Sequence, residues 1–149
     1  MARNLNPEAT RDVERPFQIV ETPIDAAEGT RRVEHPGNGA ICVFFGVVRD
    51  HALSGRQTSF LEYEAFHEMA EAKMAEIAEA IRQRWGIERV AMTHRIGRLG
   101  LGEPSVVIAV GTPHRKQAFE ACEYAIDRLK EEVPVWKKEI GPDGEEWVE

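Results

Sequence analysis

The chain has few cysteines, no long apolar run and no excess of positive charge, and each shortage removes a class of function. Only two cysteines, Cys42 and Cys122, occur in 149 residues, too few for a CxxC-type metal site or a disulfide framework. Both sit among apolar neighbours, where a free cysteine behaves as a small buried hydrophobe. His35, His51, His67, His94 and His114 fall into no HExxH or comparable spacing, so neither a metal nor another resident cofactor is expected. No apolar stretch approaches the ~20 residues that cross a bilayer, and the opening MARNLNPEATRDVERP lacks the apolar core of a signal peptide. A cytoplasmic protein without membrane contact is the expectation. A formal net charge of −7 leaves no surplus of lysine and arginine for phosphate backbones, which argues against nucleic acid as a partner.

What is present fits one domain. At 149 residues, 42% hydrophobic and 30% charged, the chain can bury a single core and has little left for a second. Residues 1–16 are polar, without periodicity, and read as a flexible leader; residues 17–149 carry the domain. Phe17 to Val20 alternates as a short strand, and 24–33 holds a small helix or turn before the breaker His35-Pro36-Gly37-Asn38-Gly39. Ala40 to Val48 is a nearly continuous apolar run, expected to be a strand buried on both faces. A polar loop from Arg49 to Arg56 leads to a strand over 59–66. Ala70, Met74, Ile77, Ile81 and Trp85 then share one helical face, which predicts a helix over about 67–85 stopped by Gly86. Strands are predicted at 88–96 and 105–110, joined by a Gly-rich turn from Gly97 to Gly102.

Thr112 as N-cap and Pro113 at the first helical position predict a second main helix over about 113–131, with Phe119, Cys122, Ile126 and Leu129 as its apolar face. Pro134 ends it, and Val135 to Val148 reads as a hairpin closed by Gly141-Pro142-Asp143-Gly144. Strands and helices mix without strict β-α-β alternation. The predicted class is therefore an α+β single domain with a mixed or antiparallel sheet.

The basic side chains of this acidic chain collect at element boundaries: Arg49 after a strand, His114 and Arg115 at a helix start, Lys130 at that helix's end, then Lys137 and Lys138. Cations at a helix N-terminus oppose the dipole by roughly 0.3–1 kcal/mol each unless an anion binds there. His114 and Arg115 thus point to a phosphate or carboxylate. Lys130 sits at the favourable end, where a simple dipole partner is an equal reading. Arg115 and Lys130 lie fifteen residues apart, about 22 Å along a helix, too far for one small ligand within one chain. If both sets act together, they meet across a two-fold dimer.

At these residues the chain resembles the large, catalytic subunit family of molybdopterin synthase. The matching stretches are Gly39-Ala-Ile-Cys-Val-Phe-Phe-Gly-Val-Val-Arg49-Asp, Leu61-Glu-Tyr-Glu, His94-Arg-Ile-Gly97 with Gly102-Glu103, His114-Arg115 with Ala118-Phe119, and Asp127-Arg-Leu-Lys130 through Pro134-Val-Trp-Lys-Lys-Glu139 to Trp147. The resemblance implies a sulfurtransferase: a small ubiquitin-like subunit inserts its thiocarboxylated Gly-Gly tail, and two sulfurs pass in turn to cyclic pyranopterin monophosphate (precursor Z), giving the molybdopterin dithiolene. It implies Lys130 and Lys137 as the essential lysines. Arg49, His114 and Arg115 match substrate-binding positions, and Lys138 and Glu139 lie in the adjoining binding stretch. The implied assembly is a heterotetramer with two large subunits at its centre. Two departures stand out: Val47 occupies a position where the family often has lysine, and a C-terminal arginine of some relatives has no match, so that either another residue, Arg56 or Lys138, supplies its charge or phosphate affinity is somewhat weaker. A non-catalytic adaptor for ubiquitin-like tails would not require His114 and Arg115; a small phosphometabolite-binding regulator would not require Lys130 and Lys137.

Overall fold

The computed structural model describes residues 15–148. In order these form β1 (Phe17–Val20), α1 (Ala26–Arg32), β2 (Ala40–Val47), β3 (Phe60–Ala65), α2 (His67–Trp85), β4 (Arg89–Arg95), β5 (Gly97–Gly100), β6 (Pro104–Thr112), α3 (Arg115–Glu132), β7 (Val135–Gly141) and β8 (Gly144–Val148). The fold is α+β, and its strands divide into two four-stranded sheets rather than one. The first has the order β1-β4-β6-β2 and the second β5-β3-β7-β8. Only β1 and β4 pair in parallel; the remaining pairs are antiparallel.

The helical spacing translates directly into packing. Ala70, Met74, Ile77 and Ile81 are buried along α2, and they meet Val90, Met92, Val106, Ile108 and Val110 of the first sheet in the main core. Each of the Met, Ile and Val side chains contributes about 1.5–3 kcal/mol by leaving water. Gly86, at φ 69°, takes the left-handed conformation that stops α2. α3 lies beside α2 on the same face of the sheet, burying Ala118, Ala121, Cys122, Ala125, Ile126 and Leu129. α1 covers part of the opposite face, where Val33 packs with Ala91, Ala109 and Val43.

Several expectations need correction. The apolar run from residue 40 is not a centre strand: β2 is an edge of the first sheet. Cys42 and Phe44 turn inward against the main core, whereas Ile41, Phe45 and Val47 stay exposed. The predicted Gly-rich turn contains a strand, β5, because Gly97 at φ 93° lets the chain leave the first sheet at Ile96 and enter the second at once. β6 runs on to Thr112, so the helix after it starts at Arg115, with His114 as N-cap in place of Thr112. The Thr112 hydroxyl instead donates to the His114 carbonyl at 2.7 Å. Cys122, Ile126 and Leu129 of the predicted apolar face are buried, whereas Phe119 is exposed and Ala118 is buried.

The hairpin forms as expected, with Gly141 opposite Gly144 across a two-residue turn. Most of the predicted leader lies outside the described residues. Arg15 and Pro16 are held in place: Arg15 pairs with Glu71, and the Pro16 carbonyl accepts from the Met92 N–H at 2.7 Å.

Candidate active site

Topology sorts the basic residues into two groups. β2 is antiparallel to β6, with Ala40 opposite Thr112 and Val47 opposite Pro104, so Arg49 follows the strand end that lies beside the start of β6. α3 leaves the other end of β6 and runs back over it; by Cys122 its thiol is 4.0 Å from the Ile108 carbonyl. α3 is continuous from Arg115 to Glu132. Lys130, in its last turn, therefore shares one end of the first sheet with Arg49, and His114 and Arg115 lie at the other end.

The N-terminus of α3 is open to an anion. His114 makes no side-chain cap, the first turn has no acidic residue, and Arg115 and Lys116 stand there exposed. α1, by contrast, is capped by the Asp25 side chain, and α2 has Glu68 in its first turn. The free N–H groups, the dipole and the cations of α3 all favour negative charge. The junction is held by tight packing: the Gly39 N–H donates to the Thr112 carbonyl at 2.9 Å, and a Cβ on Gly39 would stand 2.2 Å from the Pro113 oxygen.

At the other group, strand alternation separates neighbours. Lys137 lies opposite Tyr63 and Glu139 opposite Leu61, so both lie on the inward face of the second sheet, where Leu61, Leu99, Val48 and Tyr63 pack together. Glu139 is 8% exposed, and among the described residues it has no hydrogen-bond or ion-pair partner. Lys138 faces the other way. It pairs with Glu145 at 2.6 Å and lies 5.5 Å from the centre of the Trp147 ring, and the Glu145 carboxylate holds its ammonium above the usual lysine range. Arg56 is likewise held by Glu146 at 2.6 Å. Arg56 and Lys138 are thus both engaged by carboxylates of β8.

Charge pairing distinguishes the candidates from most other cations. Arg15, Arg31, Arg32, Arg56, Lys73, Arg82, Arg95, Arg98, Arg128 and Lys138 each have a carboxylate partner. Among the described residues Arg49, Arg115, Lys116, Lys130 and Lys137 have none. In so acidic a chain, cations left without carboxylates mark places where an outside anion can bind.

The two thiols stay out of this arrangement. Burial, with the Cys42 thiol beside it, pushes Cys122 up to about 12, so it remains protonated, as a core thiol should. A polar cluster that sequence reasoning missed lies behind Lys137. The His94 ring meets the Tyr63 ring edge-on at 4.9 Å. Burial lowers His94 to about 4, and its Nδ1–H donates to the Arg95 carbonyl at 2.8 Å. Tyr63 is raised above the ordinary phenol value, first by burial. His94 stood only within a family motif, and nothing in local periodicity brings it to Tyr63.

Fold and charge together define the class: a single-domain α+β protein in which, among the described residues, cations without carboxylate partners stand at strand and helix ends. Residues 19–132 match the MoaE protein family. A molybdopterin synthase catalytic subunit of Halalkalibacterium halodurans is 52% identical over 132 residues, spanning 89% of this chain and 84% of that protein. The crystal structure of molybdopterin synthase from Staphylococcus aureus superposes with a TM-score of 0.83 at 44% identity, covering 90% of this chain and 97% of that one. A complex of subunits 1 and 2 of the molybdopterin-converting factor from Helicobacter pylori shares the fold, with a TM-score of 0.73 at 20% identity and 89% coverage of both chains. The chain belongs to the MoaE family, that of the molybdopterin synthase catalytic subunits, enzymes of molybdenum cofactor biosynthesis.

Proposed function

We propose that this chain is the sulfur-transferring subunit of a molybdopterin synthase. It receives the thiocarboxylated Gly-Gly tail of a small ubiquitin-like subunit and passes two sulfurs in turn to cyclic pyranopterin monophosphate, producing the molybdopterin dithiolene. The observation that carries this reading is the set of unpaired cations, because Arg49, Arg115, Lys130 and Lys137 lack carboxylate partners among the described residues and stand at the positions the resemblance assigns to substrate and sulfur chemistry.

The roles follow from charge and position. His114 and Arg115, with the open N–H groups of α3, suit the substrate phosphate, which becomes a monoester and gains charge as the cyclic ester opens. Lys130 is the residue assigned nearest the sulfur: it orients the thiocarboxylate and stabilises the negative charge that develops during transfer. Lys137, half-buried on the same strand face as the Glu139 carboxylate, is the second essential lysine. Lys138 is assigned to the rim, since a substrate would first have to draw it from Glu145.

Two copies complete the site in this reading. The length of α3 supports it, because one chain holds Arg115 and Lys130 at opposite ends. The free edge of β2, with Ile41, Phe45 and Val47 exposed, offers an apolar surface for the second copy. For the small subunit, the exposed pair Phe66 and Trp136, with ring centres 4.9 Å apart, offers an aromatic anchor next to Lys137 in the chain. The cytoplasm is the proposed location; no helix among the described residues is long and apolar enough to cross a membrane.

The test is reconstitution from purified chain, thiocarboxylated small subunit and precursor Z. Dithiolene product that requires all three components supports the proposal. Tight tail binding without product would establish an adaptor instead.

A further inference from the structure

Gly102-Glu103 takes no part in the cation groups described above, yet it abuts the residue before Arg49. Val47 lies opposite Pro104, where the register of β2 against β6 shifts, and proline has no N–H to give to the ladder. Val48 is held by the turn that precedes β6: its N–H donates to the Glu103 carbonyl at 3.1 Å, and its carbonyl accepts from the Gly102 N–H at 2.8 Å. Val48 is buried with Leu61 and Leu99, while Arg49, the next residue, is exposed. On the far side of Arg49, the Asp50 carbonyl accepts from the Thr58 N–H at 2.8 Å. Arg49 thus springs from between two anchored residues, and one of the anchors is the turn over 100–103.

The Glu103 side chain shapes that turn. One carboxylate oxygen accepts from the Gly100 N–H at 3.0 Å, the Glu103 N–H donates back to the Gly100 carbonyl at 3.2 Å, and Gly102 takes φ 78° between them. The other oxygen pairs with the Arg95 guanidinium at the end of β4. Exposed ion pairs add little, but the Arg95 side chain is only 11% exposed, so its charge depends on this partner. Arg95, and after it the Gly100 amide, hold the Glu103 carboxyl below the usual carboxylate range, which leaves it ionised at neutral pH. We propose that Glu103 is a positioning residue for Arg49: its carboxylate locks the 100–103 turn to β4, and the turn's backbone fixes Val48 and hence the point from which the arginine reaches out. The role of Arg49 toward substrate rests on the function proposed above; the clamp itself does not.

Glu103→Ala removes both carboxylate bonds, and Glu103→Gln keeps an acceptor for Gly100 while losing the charge opposite Arg95. Amide exchange followed by NMR should accelerate about tenfold at Val48 in Glu103→Ala, the scale of one lost hydrogen bond, and by less in Glu103→Gln, with the Thr58 amide unchanged. In the reconstituted reaction KM for precursor Z should rise about tenfold in Glu103→Ala while kcat stays within about twofold, as when a binding group is displaced. Adding Glu103→Ala to Arg49→Ala should raise KM no further than Arg49→Ala alone, because the carboxylate acts through the arginine; a merely structural loss would multiply with it. Should Glu103→Ala fail to fold, Glu103→Gln carries the same comparison, with a rise in KM of about threefold. Unchanged exchange at Val48, loosening that spreads equally to Thr58, or KM effects that multiply with Arg49→Ala would overturn the proposal. Absence of dithiolene from the wild-type complex would instead defeat the functional reading, and exchange at Val48 would still decide the clamp.

Discussion

Mixing two inactive variants should restore activity to about a quarter of wild type. The perturbations are Arg115→Glu in one chain and Lys130→Ala in the other, each lowering activity to background alone. α3 is unbroken between these residues, and fifteen residues at helical rise put them about 22 Å apart, beyond the reach of one small substrate. If the site is shared across a two-fold axis, equal mixing makes about half of all dimers mixed. Each mixed dimer has one site with Arg115 and Lys130 both intact, and one site with both substitutions. Half of the dimers, each with half of its sites working, gives the expected quarter. The assay is dithiolene formation with excess thiocarboxylated small subunit, with native mass spectrometry establishing the proportion of mixed dimers. Activity that stays at background while half of the dimers are mixed would refute the shared site, because every site formed within one chain would then carry a lesion.

Other consequences concern stability and positioning. His94 is neutral in the fold and has a folded value of about 4 against 6.5 for the free side chain. Between those values the unfolded chain binds the extra proton, so stability falls as pH drops from 6.5 toward 4, by about 3 kcal/mol in all; urea unfolding from pH 7 to pH 4 should show this slope, and His94→Phe should flatten it. Gly39→Ala drives a Cβ to 2.2 Å from the Pro113 oxygen, and relieving the clash should cost about 1–3 kcal/mol. Because Pro113 leads directly to His114 and Arg115, KM for precursor Z should rise more than kcat falls; an unchanged KM in a folded variant would separate that junction from substrate binding.

The legible parts of this sequence are those governed by local rules. Ala70, Met74, Ile77 and Ile81 define α2 because helical periodicity and burial coincide there, and Gly86 ends it for a backbone reason. The errors arise where tertiary pairing overrides a local signal. Thr112-Pro113 has the composition of a helix start, yet Thr112 still pairs with Ala40 as the last residue of β6, which delays the start of α3 to Arg115. The apolar run of β2 resembles a centre strand, and composition alone does not distinguish that from an edge strand covered on one face. Gly97 and Gly102 are turn signals that hide the four residues of β5.

The site divides in the same way. Cations at the N-terminus of α3 are conspicuous because they oppose the dipole, and residue spacing at helical rise is enough to separate Arg115 from Lys130. The opposite facing of Lys137 and Lys138 follows once β7 is recognised as a strand. The Tyr63–His94 contact was not legible, since two strands from distant parts of the chain bring the rings together.

The most direct measurement of the central claim is the mass of the small subunit's C-terminus after a single turnover with precursor Z. With the intact chain, the thiocarboxylate should become a carboxylate as dithiolene appears, and Lys130→Ala should leave the tail bound but still carrying its sulfur. A tail that keeps its sulfur with the intact chain, or loses it equally fast with Lys130→Ala, would contradict the account.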